Sequence, residues 1–269
     1  MQVDCARRLR RRLLIYIAAG PAANLISVPI VGLAVNYVFV SQAESWWTSL
    51  AAEFVVFSML VLLVSLMPFG ARSSSDGSRI QMLLTSRPRA RRWISKIALG
   101  GQHRRGVRPK RWRKTWLSAA TALKDGALDE FSGNWLAYIS ANDEKNERLA
   151  SAHLERCLEL TGILRSSVRD LVANEASVFA AWFRDDLLLA EKWRAQVKRP
   201  KLRTPLGRIR SDIALDCARR DFDAALSAWE GGLRHIGKLR DQASRDRFAE
   251  SWAEWKTEIQ DRQSSLISA

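Results

Sequence analysis

The chain has 269 residues and carries 43 basic against 28 acidic side chains, which gives a formal net charge of +15. Residues 71–114 alone hold 14 basic side chains and one acidic side chain, whereas residues 115–269 hold 24 of each. The excess charge therefore belongs to one short segment and not to the C-terminal part. The three cysteines are odd in number and lack Cys-x-x-Cys spacing, so the sequence suggests neither a disulfide framework nor a thiolate metal site.

Two long apolar runs lie in the first 70 residues. Leu13 to Val40 contains no acidic or basic side chain, and Ser49 to Phe69 is interrupted only by Glu53. About 20 apolar residues cross about 30 Å of hydrocarbon as a helix, and both runs are apolar on all sides. The first run is too long for a signal peptide and a second run follows it, so we disfavour that alternative. We predict an integral, multi-pass membrane protein with two transmembrane helices.

The distribution of arginine predicts the orientation of these helices. Five arginines precede the first run, none lies in the connection 41–48, and the segment after the second run is rich in arginine. Basic residues favour the cytoplasmic side of a membrane. Both termini should therefore be cytoplasmic, in a plasma membrane or a bacterial inner membrane, with Trp46 and Trp47 at the opposite interface.

Residues 86–114 form a basic segment with interleaved tryptophans. Arginine with aromatic side chains also suits nucleic acid. The favoured interpretation is a juxtamembrane linker whose basic side chains meet anionic lipid headgroups, because such segments commonly follow transmembrane helices on the cytoplasmic side. A nucleic-acid partner is the less favoured alternative.

Residues 115–269 have the composition of a soluble helical domain, without the alternation of β-branched residues that indicates strands. Glycine and proline separate the helical stretches. These stretches are Asn134 to Ile139, Asn146 to Leu164, Val168 to Phe183, Leu187 to Val197, Ile209 to Ala218, Phe222 to Ile236 and Arg245 to Ile259. The predicted fold is all-α: a transmembrane region over 1–85, the linker over 86–114 and a cytosolic helical domain over 115–269.

A weak internal repeat is visible in the helical domain. The segment Asp221 to Trp229, followed by Leu233, resembles the second helix of a tetratricopeptide unit, in which a small residue packs between helices. Asp186 to Ala190 lies 35 residues upstream, and Leu149 to Leu160 is an earlier copy at looser spacing. Unrelated helical hairpins are the alternative. A repeat array would offer a groove to a protein or peptide partner.

The apolar runs also carry two motifs in order. Gly20-Pro21-Ala22-Ala23-Asn24 stands at the head of the first span, and Ser65-Leu66-Met67-Pro68 is followed by Asp76-Gly77 after the second. This arrangement resembles the site-2 protease family of intramembrane zinc metalloproteases over about residues 7–85. That family has a helix with His-Glu-x-x-His, a helix opened by Gly-Pro-x-x-Asn, and a third helix ending in Asn-x-x-Pro before Asp-Gly. Ser65 replaces the usual Asn.

The resemblance implies specific roles for these residues. In the family, zinc is held by two histidines and by the aspartate of the Asp-Gly element, which corresponds to Asp76, while the glutamate activates the metal-bound water. Gly20, Pro21, Asn24, Pro68 and Gly77 would shape the site or hold the substrate. Without the neighbouring motifs, Asp76 would be interpreted as part of a simple Ser-Asp-Gly turn.

The chain contains no His-Glu-x-x-His, since its histidines are His103, His153 and His235. We therefore expect no peptidase activity from this chain alone. Three interpretations remain open. The chain is a truncated or incomplete protease of this family, a non-catalytic relative that serves as a membrane-anchored scaffold, or an unrelated two-span membrane protein with a cytosolic binding domain.

Overall fold

The computed structural model describes residues 2–41, 46–67, 75–198, 205–239 and 241–267, and these residues form helices without any β-strand. The twelve α-helices of these ranges are α1 (Gln2–Ser41), α2 (Trp46–Leu66), α3 (Asp76–Thr85), α4 (Arg87–Arg104), α5 (Lys114–Thr121), α6 (Leu128–Asp143), α7 (Glu147–Glu159), α8 (Ser166–Phe183), α9 (Leu187–Ala195), α10 (Pro205–Ala218), α11 (Phe222–Gly237) and α12 (Gln242–Ile267). Short 3-10 helices span Pro109–Arg111 and Leu160–Ile163. The prediction of an all-α fold is confirmed.

The chain divides into two compact units, Met1–Ile94 and Ser95–Ala269. In the first unit, Arg8–Ala34 of α1 and Ser49–Leu66 of α2 are long and apolar enough to cross a membrane, and little of either segment is buried inside the protein. The two predicted apolar helices are therefore present. Helix α1 packs against α2 and α3, and α2 also contacts α3.

A small apolar core closes the first unit. Ile17 of α1, Leu83 of α3, and Ala90 and Ile94 of α4 are its buried residues. Leu9, Leu13, Leu14, Ile80 and Trp93 pack around them. This core attaches α3 and the first turns of α4 to the N-terminal half of α1, where the apolar run begins.

The segment 86–114, predicted as a linker, has regular structure for most of its length. It contains α4 and the 3-10 turn Pro109–Arg111. The division between the two units falls inside α4, after Ile94. In the second unit, Leu99 of α4 and Trp112 are buried together with Leu117 of α5 and Ala137 of α6.

The second unit is built from consecutive helix pairs. Helices α6 and α7, α8 and α9, and α10 and α11 pack as pairs, and α8 also packs against α10. One apolar core lies among α6, α7 and α8 around Tyr138 and Phe179. A second joins α8 to α12, with Ile213, Trp229 and Trp252 among its buried side chains.

The turn inside each of these three pairs has the same construction. A residue with positive φ comes first, and these are Lys145 (57°), Asp185 (50°) and Arg220 (64°). The next residue caps the second helix by accepting a hydrogen bond from a backbone N–H; the caps are Asn146, Asp186 and Asp221. The fourth residue after each cap is a fully buried alanine: Ala150, Ala190 and Ala225. The repeated sequence segments thus occupy equivalent structural positions.

Helix α12 contacts segments that are distant from it in the sequence. The Arg247 guanidinium donates to the carbonyl oxygen of His103 at 2.8 Å. Further along α12, the Trp255 ring stacks on Trp182 of α8 with centroids 4.1 Å apart, and the Trp182 indole N–H donates to Glu258 at 2.9 Å. Helix α12 therefore holds together both ends of the second unit.

Candidate functional site

Asp76 is the first residue of α3, and the residue before it caps the helix. The Ser75 hydroxyl accepts a hydrogen bond from the backbone N–H of Ser78 at 3.3 Å and donates to the carbonyl oxygen of Met67 at 2.8 Å. The Asp76 carboxylate is half-buried at the N-terminal end of α3, where the helix dipole favours a negative charge. The Ser-Asp-Gly sequence is therefore a helix start that is tied to the end of α2.

Gly77 explains how α3 comes so close to α2. A Cβ atom at this position would lie 1.9 Å from the carbonyl oxygen of Leu66, a distance that no side chain allows. Only glycine permits this approach of the two backbones. The contact places Asp76 beside the C-terminal end of the second apolar helix.

The Gly-Pro-x-x-Asn element lies inside α1 and does not open a helix. Helix α1 is continuous from Gln2 to Ser41, so the expected helix start at Gly20 is wrong. Pro21 lies inside this helix and has no N–H to donate, so α1 lacks one internal hydrogen bond at this position. Pro21 is buried and Asn24, one turn later, is half-buried, whereas Gly20 is exposed.

The structure brings the predicted site residues together only in part. Asp76 and Gly77 lie at the contact of α2 and α3, and Pro21 and Asn24 belong to α1, which packs against both helices. Among the described side chains, no hydrogen bond joins Asn24 to Asp76. Pro68 lies outside the described residues.

The possible metal ligands of the described residues do not make a zinc site by themselves. Within the described ranges, no three His, Cys, Asp or Glu side chains are grouped closely enough to hold a metal ion. Zinc requires three or four protein ligands, and Asp76 supplies one. His153 instead contacts the Asn134 side-chain oxygen at 3.0 Å, and burial lowers the pKa of its ring.

The basic segment contains one side chain whose role the sequence did not indicate. Arg108 is buried, and its guanidinium donates to Glu254 of α12 through two bonds of 2.8 Å and to Asp143 of α6 at 3.3 Å. Burial lowers its pKa, but the hydrogen bonds to Glu254 and Asp143 outweigh that effect and raise it. In the sequence, the regular spacing of Glu250, Glu254 and Glu258 on α12 was the feature that could have indicated a basic partner for this helix.

Other basic residues of this segment also pair with acids of the helical unit. Lys110 binds Glu254 at 2.7 Å and Arg111 binds Glu250 at 2.8 Å. Lys96 and Lys114 pair with Asp129 and Glu144. Five of the twelve basic side chains of residues 86–114 are therefore paired with acids within the second unit.

A charged groove of about 490 Å³ lies between α9 and α10. Its lining includes Glu191, Arg194, Asp212, Asp216 and Arg219. Arg219 pairs with Glu191 at 2.7 Å, and Arg194 pairs with Asp212. Burial raises the pKa of Asp216, against the effect of Arg219. Arg219 also lies 3.4 Å from Asp216, so each of the three acids has an arginine partner within the groove, which carries a formal excess of one negative charge.

Comparison of the chain with protein-family models, with curated proteins and with solved structures gives no match. The function is therefore inferred from the chemistry and positions of the residues themselves.

Proposed function

We propose that this chain provides two core transmembrane helices and one zinc ligand of an intramembrane metalloprotease of the site-2 type, and that its 269 residues do not cleave peptides alone. The contact of Gly77 with the Leu66 carbonyl carries the proposal. This contact holds the Asp76 carboxylate next to the end of an apolar helix, where an ionisable side chain is costly without a partner and is therefore a candidate for a functional role. Helix α1, which bears Pro21 and Asn24, packs against both partners of this contact.

In this proposal the remaining ligands come from a helix with His-Glu-x-x-His that lies outside these residues, in a longer form of the protein or in a second chain. Zinc, when bound, supplies an activated water for attack on a peptide bond. Asp76 would provide an anionic oxygen ligand, and Asn24 would hydrogen-bond the backbone of a membrane-bound substrate. Regulated cleavage of membrane proteins is the activity that the family resemblance implies.

The direct test joins a helix bearing His-Glu-x-x-His upstream of Met1 and compares the product with the original chain in detergent. We expect zinc retention and cleavage of a labelled transmembrane substrate only after joining. Asp76→Asn should remove cleavage and lower the zinc content, because it replaces an anionic ligand with a neutral amide. Asn24→Ala should weaken cleavage without loss of zinc.

Asp223→Asn is the matched control, because Asp223 also lies in the first turn of a helix, α11, and is exposed. This variant should keep full zinc content and activity. Zinc-dependent cleavage by the original chain that survives Asp76→Asn would overturn the assignment.

We further propose that both termini lie in the cytoplasm. The support is the distribution of arginine around the two apolar helices. A reporter that is active only in the cytoplasm should be active when it is fused after Ala269. A tag at Glu44 should react only with reagents added from outside. A C-terminal reporter on the external side would contradict this orientation.

A second candidate function is that of a membrane-anchored scaffold without catalysis. The groove between α9 and α10, in an array of similar helix pairs, is the observation that favours it. Its partner would be a peptide with basic side chains. In fluorescence polarisation, Asp212→Asn with Asp216→Asn should weaken retention of such peptides, whereas Asp223→Asn should not. Equal retention by both variants would argue against the groove.

A further inference from the structure

Two groups of exposed arginines lie in the first unit. Three exposed arginines, Arg8, Arg11 and Arg12, lie on α1 directly before Leu13, where the run without charged side chains begins. Three more, Arg87, Arg89 and Arg91, are exposed on the first turns of α4. None of the six forms an ion pair with a carboxylate among the described residues.

These two groups of arginines are held near each other by the small core of the first unit. Leu83 and Ala90, which flank the start of α4, are buried against Ile17 of α1. Arg10, which lies among the α1 arginines, donates a hydrogen bond to the carbonyl oxygen of Leu83. The side chain of Leu84, next to this contact, remains 61% exposed. The exposed surface around the start of α1 and the start of α4 is thus basic, and an exposed apolar residue lies beside the arginines of α4.

We propose that this surface, defined by Arg8, Arg11, Arg12, Arg87, Arg89 and Arg91 and called the basic collar, binds the phosphate groups of anionic phospholipids. The proposal rests on the proposed insertion of α1 into a bilayer. Arginine guanidinium groups bind phosphate oxygens well, often through two parallel hydrogen bonds. The collar lies at the beginning of the apolar run, which is the level at which headgroups would meet it, and Leu84 would enter the acyl boundary.

Ion pairs within the protein are the reason why some basic residues are not included in this surface. Arg108, Lys110 and Arg111 are engaged by carboxylates of α12 and of α6. They lack the uncompensated charge that attracts an anionic membrane. We therefore place the lipid contact on the arginines of the first unit, which lie next to the apolar run, and not on these three paired residues.

Each basic residue near an anionic membrane contributes about a fivefold change in partitioning. Removing three charges from the collar should therefore weaken the affinity for an anionic lipid by up to about 100-fold. Nucleic acid is the other polyanion that such a surface attracts, but Trp93, the tryptophan nearest to Arg91 in the sequence, packs against the core of the first unit and is not free to stack on bases.

The experiment uses the delipidated full chain in a non-ionic detergent and measures bound lipid by native mass spectrometry. Phosphatidylglycerol should bind more tightly than phosphatidylcholine, and R87Q/R89Q/R91Q should lose most of this preference. The matched control is R148Q/R165Q/R169Q, which removes three exposed arginines of the helical unit that also lack ion pairs. It should bind phosphatidylglycerol as the original chain does.

Two competition experiments distinguish lipid phosphate from free phosphate and from the phosphates of nucleic acid. Millimolar inorganic phosphate should displace little phosphatidylglycerol, and a single-stranded RNA oligonucleotide should not compete at physiological salt. Equal binding of the two lipids, an unchanged R87Q/R89Q/R91Q variant, or displacement by RNA would each overturn the proposal. Circular dichroism checks that the variants are folded, and alkaline extraction from membranes tests insertion independently, so a failure of insertion is distinguished from a failure of headgroup binding.

Discussion

Trp229 of α11 and Trp252 of α12 hydrogen-bond to each other in both directions. The indole N–H of Trp229 donates to the carbonyl oxygen of Trp252 at 2.7 Å, and the indole N–H of Trp252 donates to the carbonyl oxygen of Trp229 at 3.0 Å. Both side chains are buried, so each donor would be costly without its acceptor. The pair therefore fixes the position of α12 on α11.

This position requires a glycine on α11. A Cβ atom at Gly232 would lie 2.3 Å from the ring of Trp252. Gly232→Ala should displace that ring and lower the free energy of unfolding by about 1–3 kcal/mol. The control is Gly231→Ala, where the nearest atom is 3.8 Å away at the end of the Arg234 side chain. The control should be neutral or slightly stabilising, since alanine favours a helix over glycine. Denaturation followed by tryptophan fluorescence measures both, and equal midpoints would contradict the packing described.

Arg108 should be among the residues of the basic segment 86–114 that are most sensitive to substitution. Its side chain is 1% exposed, so Arg108→Gln would leave the carboxylates of Asp143 and Glu254 without their buried partner. We expect a loss of about 3–5 kcal/mol in the free energy of unfolding. Arg111→Gln removes an exposed pair with Glu250 and should cost at most about 1 kcal/mol. Chemical denaturation of the two variants would show similar midpoints if Arg108 were a surface cation.

The same cluster predicts a response to acid. The hydrogen bond from Arg108 is the main cause that lowers the pKa of Glu254 from 4.5 to about 2. A lowered carboxyl pKa stabilises the folded state above pH 4.5, and this contribution is lost as the pH falls from 4.5 towards 2. Glu254→Gln should therefore be less stable than the original chain near neutrality. The difference between their unfolding midpoints should shrink across that acid range, and a constant difference would show that Glu254 is not paired.

The buried alanine that follows each of the three turns predicts where α11 tolerates a bulky residue. Ala225 is fully buried between helices, whereas Ser227 on the same helix is exposed. Ala225→Trp should overpack the contact and cost about 1–3 kcal/mol. Ser227→Trp introduces the same side chain towards solvent and should leave the melting temperature nearly unchanged. If both variants melt alike, Ala225 does not occupy a close helix contact.

The apolar pattern of the sequence was sufficient to predict most helices. The run Leu13 to Val40 lies within α1, and Phe222 to Ile236 corresponds to α11. Helix α12 extends past the predicted end at Ile259, since its last residues are mostly polar and show little periodicity. Helix α4 was missed for a similar reason, because its many arginines conceal the apolar positions Ala90, Ile94 and Leu99.

The candidate site could be predicted only where it depends on local sequence. Asp76 and Gly77 are adjacent, so a capped turn with a carboxylate was expected from the residues themselves. The contact of Gly77 with Leu66 arises from the packing of two helices, and no local pattern reports it. The burial of Arg108 likewise depends on Glu254, which is 146 residues away.

Helix α12 also affects how the second unit can fold. An array of helix pairs in which each pair contacts only its neighbours unfolds in segments. Here Arg247, Trp252 and Trp255 connect α12 to α4, α11 and α8. Because one helix contacts these three, unfolding of any one of them should destabilise the others. The ribosome must add the part of α12 that carries Arg247, Trp252 and Trp255 before these contacts can form. The three helix pairs are therefore synthesised before the helix that connects α4, α8 and α11, and the contacts of this unit are complete only after that last helix has docked.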